Sequence, residues 1–412
     1  MGYNFDYIVI GSGPAGRTAA IKLAQNGKKV ALIENETFGG AEIATRDFPY
    51  QMSLDFAYSY YKFANSPAVK GSSVHFNFPT LVSSVDEAIA KKQVEIKKSL
   101  EDLGIHLITG FAHFLDPHTI AVENIKYTAK SFILATGSEL KAHEISGLEA
   151  VKYLNPDTAL CLRRPPKFVF VAGGGPTGVE IAEYFAMLGI GVIIMERADH
   201  ILPREDEDIA ANLTDYLTSK LGVTIVTNSK VIGITEDHSS KIVVFMNENN
   251  KKMVRVDCIV IATGSVPFLD YGLENAGVDY KRTGIVVDKY FNTTAKNIFA
   301  IGDCINSNDS STERANIEAD TLVENLIHRG KTTAIYSRIP RVIHTHPEIV
   351  TIGMNERDCL SRDLKYRKTI VRLNEPGCFI KTLEGTKGRI LGTTIVAPNA
   401  SLAIKLKNLL TK

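Results

Sequence analysis

The chain has 412 residues, of which 44% are hydrophobic, and its 47 basic and 46 acidic side chains give a formal net charge of +1. The length exceeds what one hydrophobic core supports and predicts two or three domains. The balanced charge excludes a strongly basic surface, so we expect no nucleic-acid partner.

The cysteines and the apolar runs indicate a cellular location. Five cysteines are scattered along the chain, and the closest pair is Cys359 and Cys378. This spacing fits a reducing compartment and predicts neither a disulfide framework nor a zinc site. The first residues lack the features of a signal peptide, and no apolar run is long enough for a membrane span. These features predict a cytoplasmic protein.

A pattern typical of dinucleotide binding starts at residue 7. The apolar run 7–10 is followed by a helical stretch, and between them stands the turn Gly11-Ser12-Gly13-Pro14-Ala15-Gly16. The next apolar run, 30–33, ends at Glu34. Such glycines let the backbone approach a pyrophosphate, the helix N-terminus attracts its charge, and the acidic residue binds ribose hydroxyls.

The same pattern recurs in the middle of the chain. The apolar run 168–172 leads into the turn Gly173-Gly174-Gly175-Pro176-Thr177-Gly178, and the strand pattern 192–195 ends at Glu196. Each glutamate lies 18 residues beyond the last glycine of its turn, since 34 − 16 and 196 − 178 are both 18. Two identical spacings predict two dinucleotides bound by one chain.

Further motifs give the chain a family resemblance. Two apolar strands end in Ala-Thr-Gly, at 135–137 and at 262–264, and a later segment, 297–303, ends in Gly302-Asp303. Together with the glycine turns, these motifs resemble the pyridine nucleotide-disulfide oxidoreductase superfamily over nearly the whole chain, in the branch of dihydrolipoamide dehydrogenase, glutathione reductase and mercuric reductase.

The resemblance implies an α/β fold with two Rossmann-like dinucleotide-binding domains and a shortened α+β interface domain that supports a homodimer. Its implied boundaries are an FAD-binding domain in two segments, 1–145 and 269–335, an NAD(P)-binding domain at 146–268 and the interface domain at 336–412. The chain reaches Lys412 without a counterpart of the family's C-terminal His-Pro…Glu acid/base segment. We therefore expect that acid/base function to be absent.

The resemblance also assigns the cofactor-binding residues. Those implied for FAD are Gly11, Gly13, Pro14, Ala15, Gly16, Glu34, Gly39, Gly40, Ala112, Thr136, Gly137, Gly302 and Asp303. Those implied for NAD are Gly173, Gly175, Pro176, Thr177, Gly178, Glu180, Glu196, Arg197 and Gly264.

Glu196 favours NADH over NADPH at the second site. A 2′-phosphate facing this carboxylate should cost at least ~1 kcal/mol. Arg197 and Arg204 follow closely enough to keep NADPH open, although a solvated basic patch is an equally good interpretation of them.

The segment after the first nucleotide motif departs from the family. Disulfide-reducing members carry two cysteines spaced CxxxxC, then proline, a small hydroxyl residue and lysine. Here Pro49 keeps the register, but Glu42 and Asp47 occupy the cysteine positions and Gln51 the lysine position. A carboxylate cannot exchange with a disulfide, which excludes dithiol–disulfide chemistry through this helix.

These substitutions define the predicted flavin-proximal residues, Glu42, Asp47, Gln51 and Glu180. Glu180 matches the family glutamate that pairs with the missing lysine. Our hypothesis is that the three carboxylates disfavour an anionic reduced flavin and lower its potential, or that one binds a proton with a raised pKa. The alternative places Glu42 and Asp47 in solvent on a shifted helix, since carboxylates are rarely buried unpaired.

Three other features allow more than one interpretation. His344-Thr345-His346, expected on a strand near Glu348, could bind a metal, but no further ligand pair is evident and we predict no metal site. Cys304 could lie near the flavin, although a small buried core residue is the favoured interpretation. The aromatic residues Phe48, Tyr50 and 58–61 either line a pocket for a flat quinone or pack in the core.

The sequence therefore predicts a diaphorase-type, FAD-dependent NAD(P)H oxidoreductase. NADH would reduce FAD, and the reduced flavin would pass electrons directly to a small acceptor such as a quinone, or to oxygen. Two alternatives stay open: an FAD- or NAD-binding sensor or assembly protein, and a pyridine nucleotide transhydrogenase, which Glu196 disfavours.

Overall fold

The computed structural model describes residues 2–69, 75–140, 145–238, 240–305 and 311–400. The chain divides into two units. Unit 1 comprises residues 1–48, 86–141 and 264–336, and unit 2 comprises residues 49–85, 142–263 and 337–412. The domain boundaries implied by the resemblance stay a prediction, and the last part of the predicted interface domain, 401–412, lies outside the described residues.

The described residues form both helices and strands. The helices are α1 (Pro14–Gln25), α2 (Gly40–Ala44), α3 (Asp47–Ala64), α4 (Phe78–Asp102), α5 (Pro156–Ala159), α6 (Pro176–Met187), α7 (Glu207–Ser219), α8 (Thr312–His328) and α9 (Glu356–Ser361). The strands are β1 (Phe5–Ile10), β2 (Val30–Glu34), β3 (His106–Thr109), β4 (Ala112–Asp116), β5 (Thr119–Val122), β6 (Ile125–Leu134), β7 (Ser138–Leu140), β8 (Phe168–Ala172), β9 (Gly191–Met195), β10 (Thr224–Val226), β11 (Ser229–Asp237), β12 (Ser240–Asn247), β13 (Asn250–Val256), β14 (Cys258–Ile261), β15 (Ser265–Pro267), β16 (Tyr280–Lys281), β17 (Gly284–Ile285), β18 (Ile298–Ala300), β19 (Pro340–Ile343), β20 (Glu348–Gly353), β21 (Arg367–Arg372), β22 (Phe379–Glu384) and β23 (Ile390–Ala397).

Unit 1 is built on one sheet. Strands β3, β2, β1 and β6 lie side by side in parallel, and β18 adds a parallel partner to the second half of β6. The first half of β6 pairs antiparallel with β5, which pairs with β4. Every residue of β2 is buried, as expected for a parallel strand that is covered on both faces. Helices α1 and α8 pack against each other.

Unit 2 contains three sheets. One is parallel, in the order β10-β9-β8-β14, and the antiparallel sheet β11-β12-β13 is inserted in the sequence between β10 and β14. The third is antiparallel, in the order β19-β20-β23-β22-β21. Helix α6, which follows the second glycine turn, is buried at every residue from Gly178 to Met187.

The predicted α/β class with two Rossmann-like dinucleotide-binding folds is confirmed. Each unit has a parallel sheet in which a strand, a glycine turn and a helix occur in succession, and the helix leads to a second parallel strand. Among the described residues, no helix combines the length and the apolar character that crossing a membrane requires.

Candidate functional site

The glycines of the first turn serve two different purposes. A Cβ atom on Gly11 would lie 2.2 Å from the Ala135 carbonyl oxygen, and one on Gly16 would lie 1.9 Å from the Gly11 carbonyl oxygen. These two glycines are therefore required by packing within the chain. A Cβ on Gly13, in contrast, would meet nothing within 4 Å. The open space at Gly13 fits a ligand that approaches the backbone closely.

Helix α1 begins directly at this open space. Gly13 is its N-cap and Pro14 occupies its first turn. The first N–H groups of a helix lack intrahelical partners and carry partial positive charge, which makes this end a site for a phosphate. Helix α2 starts against the same point, because a Cβ on Gly40 would lie 2.7 Å from the Gly13 Cα atom. The residues present thus fit the pyrophosphate of FAD.

Glu34 holds the first turn in shape. Its buried carboxylate accepts hydrogen bonds from the Ser12 backbone N–H at 2.9 Å and from the Ser12 hydroxyl at 2.7 Å. The Ser12 hydroxyl in turn accepts a hydrogen bond from the Gly39 N–H at 2.9 Å. One carboxylate therefore links the glycine turn to the Gly39-Gly40 turn, and its predicted bond to a ribose stays a prediction.

The Gly302-Asp303 turn is positioned by a residue that the sequence analysis missed. The Gly302 N–H donates to the Glu318 carboxylate at 2.7 Å, and Glu318 is fully buried. Arg314 and the Tyr336 hydroxyl bind the other carboxylate oxygen at 2.7 and 3.0 Å, and burial raises the pKa of Tyr336 to about 12. The only signal in the sequence was the i,i+4 spacing of Arg314 and Glu318, which is common on helices.

The remaining predicted FAD residues lie on a strand of the unit 1 sheet or just beyond the end of one. Thr136 donates its hydroxyl to the Phe268 carbonyl oxygen at 3.2 Å, and Gly137 has a φ of +69° that favours glycine. A Cβ on Gly302 would lie 3.1 Å from the Ala15 Cβ atom, so these two motifs meet. Ala112 is buried at the start of β4, which β5 separates from β6.

The second turn repeats the first. A Cβ on Gly173 would lie 2.4 Å from the Ala262 carbonyl oxygen and one on Gly178 would lie 2.0 Å from the Gly173 carbonyl oxygen, whereas one on Gly175 would meet nothing within 4 Å. Gly175 is the N-cap of α6 and Pro176 occupies its first turn. The two turns therefore offer a dinucleotide the same backbone surface.

Glu196 matches Glu34 in its contacts. Its carboxylate accepts hydrogen bonds from the Gly174 N–H at 2.7 Å and from the Ala198 N–H at 2.8 Å. Gly264 has a φ of +103° just beyond β14. Arg197 and Arg204 are both exposed, as either interpretation of these arginines would allow.

The two residues in the cysteine positions have separate partners within unit 1. Glu42, on α2, forms an ion pair of 2.8 Å with Arg17 of α1, and these side chains are only 18% and 19% exposed. Asp47, at the start of α3, is exposed and accepts a hydrogen bond of 2.6 Å from the Thr312 hydroxyl at the start of α8. Glu42 is thus charge-compensated and partly buried, so the alternative that places both residues in solvent describes Asp47 but not Glu42. The flavin-proximal role of these carboxylates stays a prediction.

The other two flavin-proximal candidates lie in unit 2. Gln51 is exposed on α3. Glu180 accepts a hydrogen bond from the His344 backbone N–H at 2.8 Å. One turn further along α6, the fully buried Glu183 accepts the His346 N–H at 2.9 Å, and burial raises the pKa of Glu183.

The expectation that His344-Thr345-His346 lies on a strand was wrong. Strand β19 ends at Ile343, and residues 344–347 connect it to β20. The physical reason is that the backbone N–H groups of His344 and His346 donate to the glutamates of α6 and are not available to a sheet. The His346 ring stacks on Tyr58 with a centroid distance of 4.0 Å.

Two of the residues left open are part of the core. Tyr50 is 6% exposed and donates its hydroxyl to the Pro156 carbonyl oxygen at 2.9 Å, which makes it a packing residue. Cys304 is fully buried, and burial raises the pKa of its thiol to about 11, which confirms the core interpretation.

A buried charge cluster in unit 2 was also missed. Lys381, which is 1% exposed, donates to the carboxylate of Asp206 at 2.8 Å and also to those of Asp208 and Glu356. In the part of the chain that the structure describes, these three carboxylates are the acidic group whose spacing would suit a metal ion. The Lys381 ammonium already provides the positive charge there, so the cluster has a structural explanation.

Two parallel-sheet folds with matching glycine turns define a flavoprotein class that binds two dinucleotides. A family model described as "Pyridine nucleotide-disulphide oxidoreductase" matches residues 5–323. The chain belongs to this family, as the motifs predicted. It is therefore an enzyme of the flavin-dependent pyridine nucleotide oxidoreductase superfamily.

The chain is similar to several named proteins over most of its length. It is 28% identical to a mercuric reductase of Bacillus cereus, with 100% of this chain and 67% of the relative covered. It is 29% identical to a dihydrolipoyl dehydrogenase of Bacillus subtilis, with 96% and 87% covered. A solved structure, the HOCl-induced flavoprotein disulfide reductase RclA from Escherichia coli, superposes with a TM-score of 0.87 at 26% identity, covering 98% of this chain and 93% of RclA.

Proposed function

We propose that this protein is an NADH-dependent FAD oxidoreductase that passes electrons from the flavin directly to a small acceptor, such as a quinone, without a redox disulfide. FAD is assigned to the first glycine turn and NADH to the second. The homodimer and the cytoplasmic location are part of the same proposal.

The repeated turn geometry is the observation that carries the proposal. Gly13 and Gly175 both face open space at the N-terminus of a helix, whereas the flanking glycines are required by internal packing. A chain that needed these turns only for packing would tolerate other residues at Gly13 and Gly175. The same open space at both positions supports two bound pyrophosphates.

The residues at the cysteine positions support direct electron transfer. When bound, FAD supplies the redox chemistry by accepting a hydride and releasing electrons to the acceptor. The protein contributes orientation and electrostatics: Glu34 and Glu196 hold the two turns, and Glu318 holds the turn that carries Asp303. Glu42 binds Arg17 and Asp47 binds Thr312, and carboxylates cannot form the mixed disulfide that thiol exchange requires.

The proposal predicts a two-step redox cycle in the purified FAD-loaded protein. Under anaerobic stopped-flow conditions, NADH is expected to bleach the visible flavin absorbance, and menadione or ferricyanide is expected to restore it. Lipoamide and oxidised glutathione should leave the reduced flavin unchanged, because the thiol pair is missing. Mercuric and cupric ions belong in the same acceptor panel, as relatives are named or titled for them.

Each of the other outcomes selects a different function. No bleaching by either NADH or NADPH would end the oxidoreductase proposal and favour a nucleotide-binding sensor. Efficient reduction by both nucleotides, with electrons returned to an oxidised nucleotide analogue, would favour transhydrogenation. Rapid reoxidation by lipoamide would show that disulfide reduction persists by another route.

Glu196 is predicted to set the nucleotide preference. Its carboxylate lies beside the second turn, bonded to the Gly174 N–H at 2.7 Å, where a 2′-phosphate would bring further negative charge. Replacing it with glutamine keeps a hydrogen-bond acceptor but removes the charge, so the preference for NADH over NADPH should fall about tenfold. Flavin reduction rates at a range of NADH and NADPH concentrations would measure this. Glu207→Gln, at the exposed start of α7, is the matched control, and an unchanged preference in Glu196→Gln would refute the assignment.

A further inference from the structure

The segment that follows the Gly39-Gly40 turn is attached to the rest of unit 1 by polar side chains. Glu42 pairs with Arg17 of α1, and Asp47 accepts a hydrogen bond from Thr312 of α8. Between them, the Arg46 guanidinium donates to the Ser138 hydroxyl at 3.3 Å. Three neighbouring side chains therefore bind three different elements of the unit that carries the first nucleotide turn.

The contact of Arg46 continues to a predicted FAD residue. The Ser138 hydroxyl accepts from Arg46 Nη1 and donates to Asp303 Oδ2, again at 3.3 Å. A hydroxyl can perform both roles at once, since it has one donor and two acceptor lone pairs. Linked hydrogen bonds of this kind polarise one another. Two hydrogen bonds thus link the Asp303 carboxylate to a cation that lies 257 residues earlier in the chain, since 303 − 46 is 257.

We infer that Arg46 is a positioning residue for FAD, which acts through Ser138 to hold the carboxylate of Asp303, a residue that the resemblance assigns to FAD binding. The inference rests on the proposed function only in that FAD must bind the first site. Arginine suits this role because it stays charged at all relevant pH values and its planar donor group has a fixed geometry. Ser138 is the first residue of β7 and directly follows Gly137. The hydrogen-bond relay from Arg46 through Ser138 to Asp303 therefore passes through the residue next to the Ala-Thr-Gly motif.

Arg46 supplies a positive charge in the segment in which this chain lacks the lysine of the family motif. The disulfide-reducing family that the chain resembles carries a lysine at the position of the neutral Gln51, and Arg46 lies five residues before that position. Within unit 1, the charge of Glu42 is balanced by Arg17, whereas Arg46 is linked through the Ser138 hydroxyl to Asp303. The segment that replaces the cysteine helix therefore still provides one cation to the FAD site.

The test is the affinity of the full-length apoprotein for FAD, measured by titration of flavin fluorescence. Arg46→Met, which keeps an unbranched apolar stem but removes the guanidinium donors, should weaken FAD binding about tenfold. Ser138→Ala should weaken it to a similar degree, and the double variant should show little further loss, because both changes interrupt one relay. Lys22→Met is the matched control, since this half-exposed cation of α1 pairs with Asp320 outside the relay. Its affinity should stay that of the wild type.

Each outcome decides the inference. Wild-type affinity in folded Arg46→Met, or additive losses that reach about a hundredfold in the double variant, would overturn it. Should Arg46→Met fail to fold, Arg46→Lys keeps the charge but not the planar donor group, and an affinity equal to the wild type would then overturn it. A wild-type protein that binds no FAD would overturn the proposed function as well, whereas the variant results above would overturn the inference alone.

Discussion

Replacing Gly13 with alanine is expected to weaken FAD binding about a hundredfold while the fold stays intact. The backbone at Gly13 is extended, with φ −62° and ψ −176°, which alanine adopts without strain. The new methyl group would meet no protein atom within 4 Å, but it would occupy the space where the pyrophosphate approaches the helix. Losing charge-assisted contacts worth about 2.7 kcal/mol corresponds to that factor. Titration of the apoprotein with FAD is the measurement.

Two further glycine variants serve as controls. Gly175→Ala makes the same change at the second turn, where a Cβ also meets nothing within 4 Å, so it should impair reduction by NADH and leave FAD bound. Gly16→Ala should instead lower the thermal unfolding temperature, because its Cβ would lie 1.9 Å from the Gly11 carbonyl oxygen. Full FAD affinity in Gly13→Ala would show that the first turn does not hold the cofactor's phosphates.

Replacing Lys381 with methionine is expected to lower the free energy of unfolding by about 3–5 kcal/mol. Lys381 is 1% exposed and binds Asp206, Asp208 and Glu356, which come from the start of α7 and from α9. Methionine fills the volume but leaves three carboxylates facing one another with a single remaining cation, Lys368, at the edge. Urea unfolding would measure the loss, and Lys368→Met, with a 40% exposed side chain, should cost less than ~1 kcal/mol.

The effect of Lys381→Met should also depend on pH. Burial alone would raise the pKa of Glu356, but hydrogen bonds from Lys381, Lys368 and Tyr366 outweigh it and hold the pKa at about 2, below the ordinary value of 4.5. The stability contributed by this carboxylate is therefore fully present above pH 4.5 and is lost as the pH falls towards 2. The difference between wild type and variant should shrink over this interval. A difference that stays constant with pH would contradict the proposed role of the ion pairs.

The two glycine turns and their helices could be predicted because their determinants are local in the sequence. The strand, turn and helix around Gly13 are formed by consecutive residues, and Glu34 closes the next strand at a spacing that the fold requires. Because the pattern occurs twice, it is stronger evidence for dinucleotide binding than a single glycine motif. The contacts of Glu34 and Glu196 with the turns were not predicted, since they depend on how the carboxylates orient after folding.

Residues that act through long-range contacts could not be predicted. Glu318, which holds Gly302, and Lys381, which holds three carboxylates, look like ordinary charged residues of a helix and a strand. Their importance arises from burial. An unpaired buried charge lowers the stability of the fold, so the partners of Glu318 and Lys381 must be held in fixed positions. The segment from His344 to His346 is a further example. Its alternating pattern predicts a strand, but its backbone N–H groups donate to glutamates of α6, which are distant in the sequence.

The sequence by itself determined that the chain carries two glycine turns of the dinucleotide-binding type and that Glu42 and Asp47 stand where the family motif has cysteines, because both observations depend only on residue type and spacing. The tertiary structure alone decided what those carboxylates do. Glu42 is neutralised by Arg17 and Asp47 is bound by Thr312, while Arg46 between them reaches Ser138 and, through it, Asp303. The reason is physical: the energy of a charge depends on its burial and its partners, and both are set only when distant segments pack together.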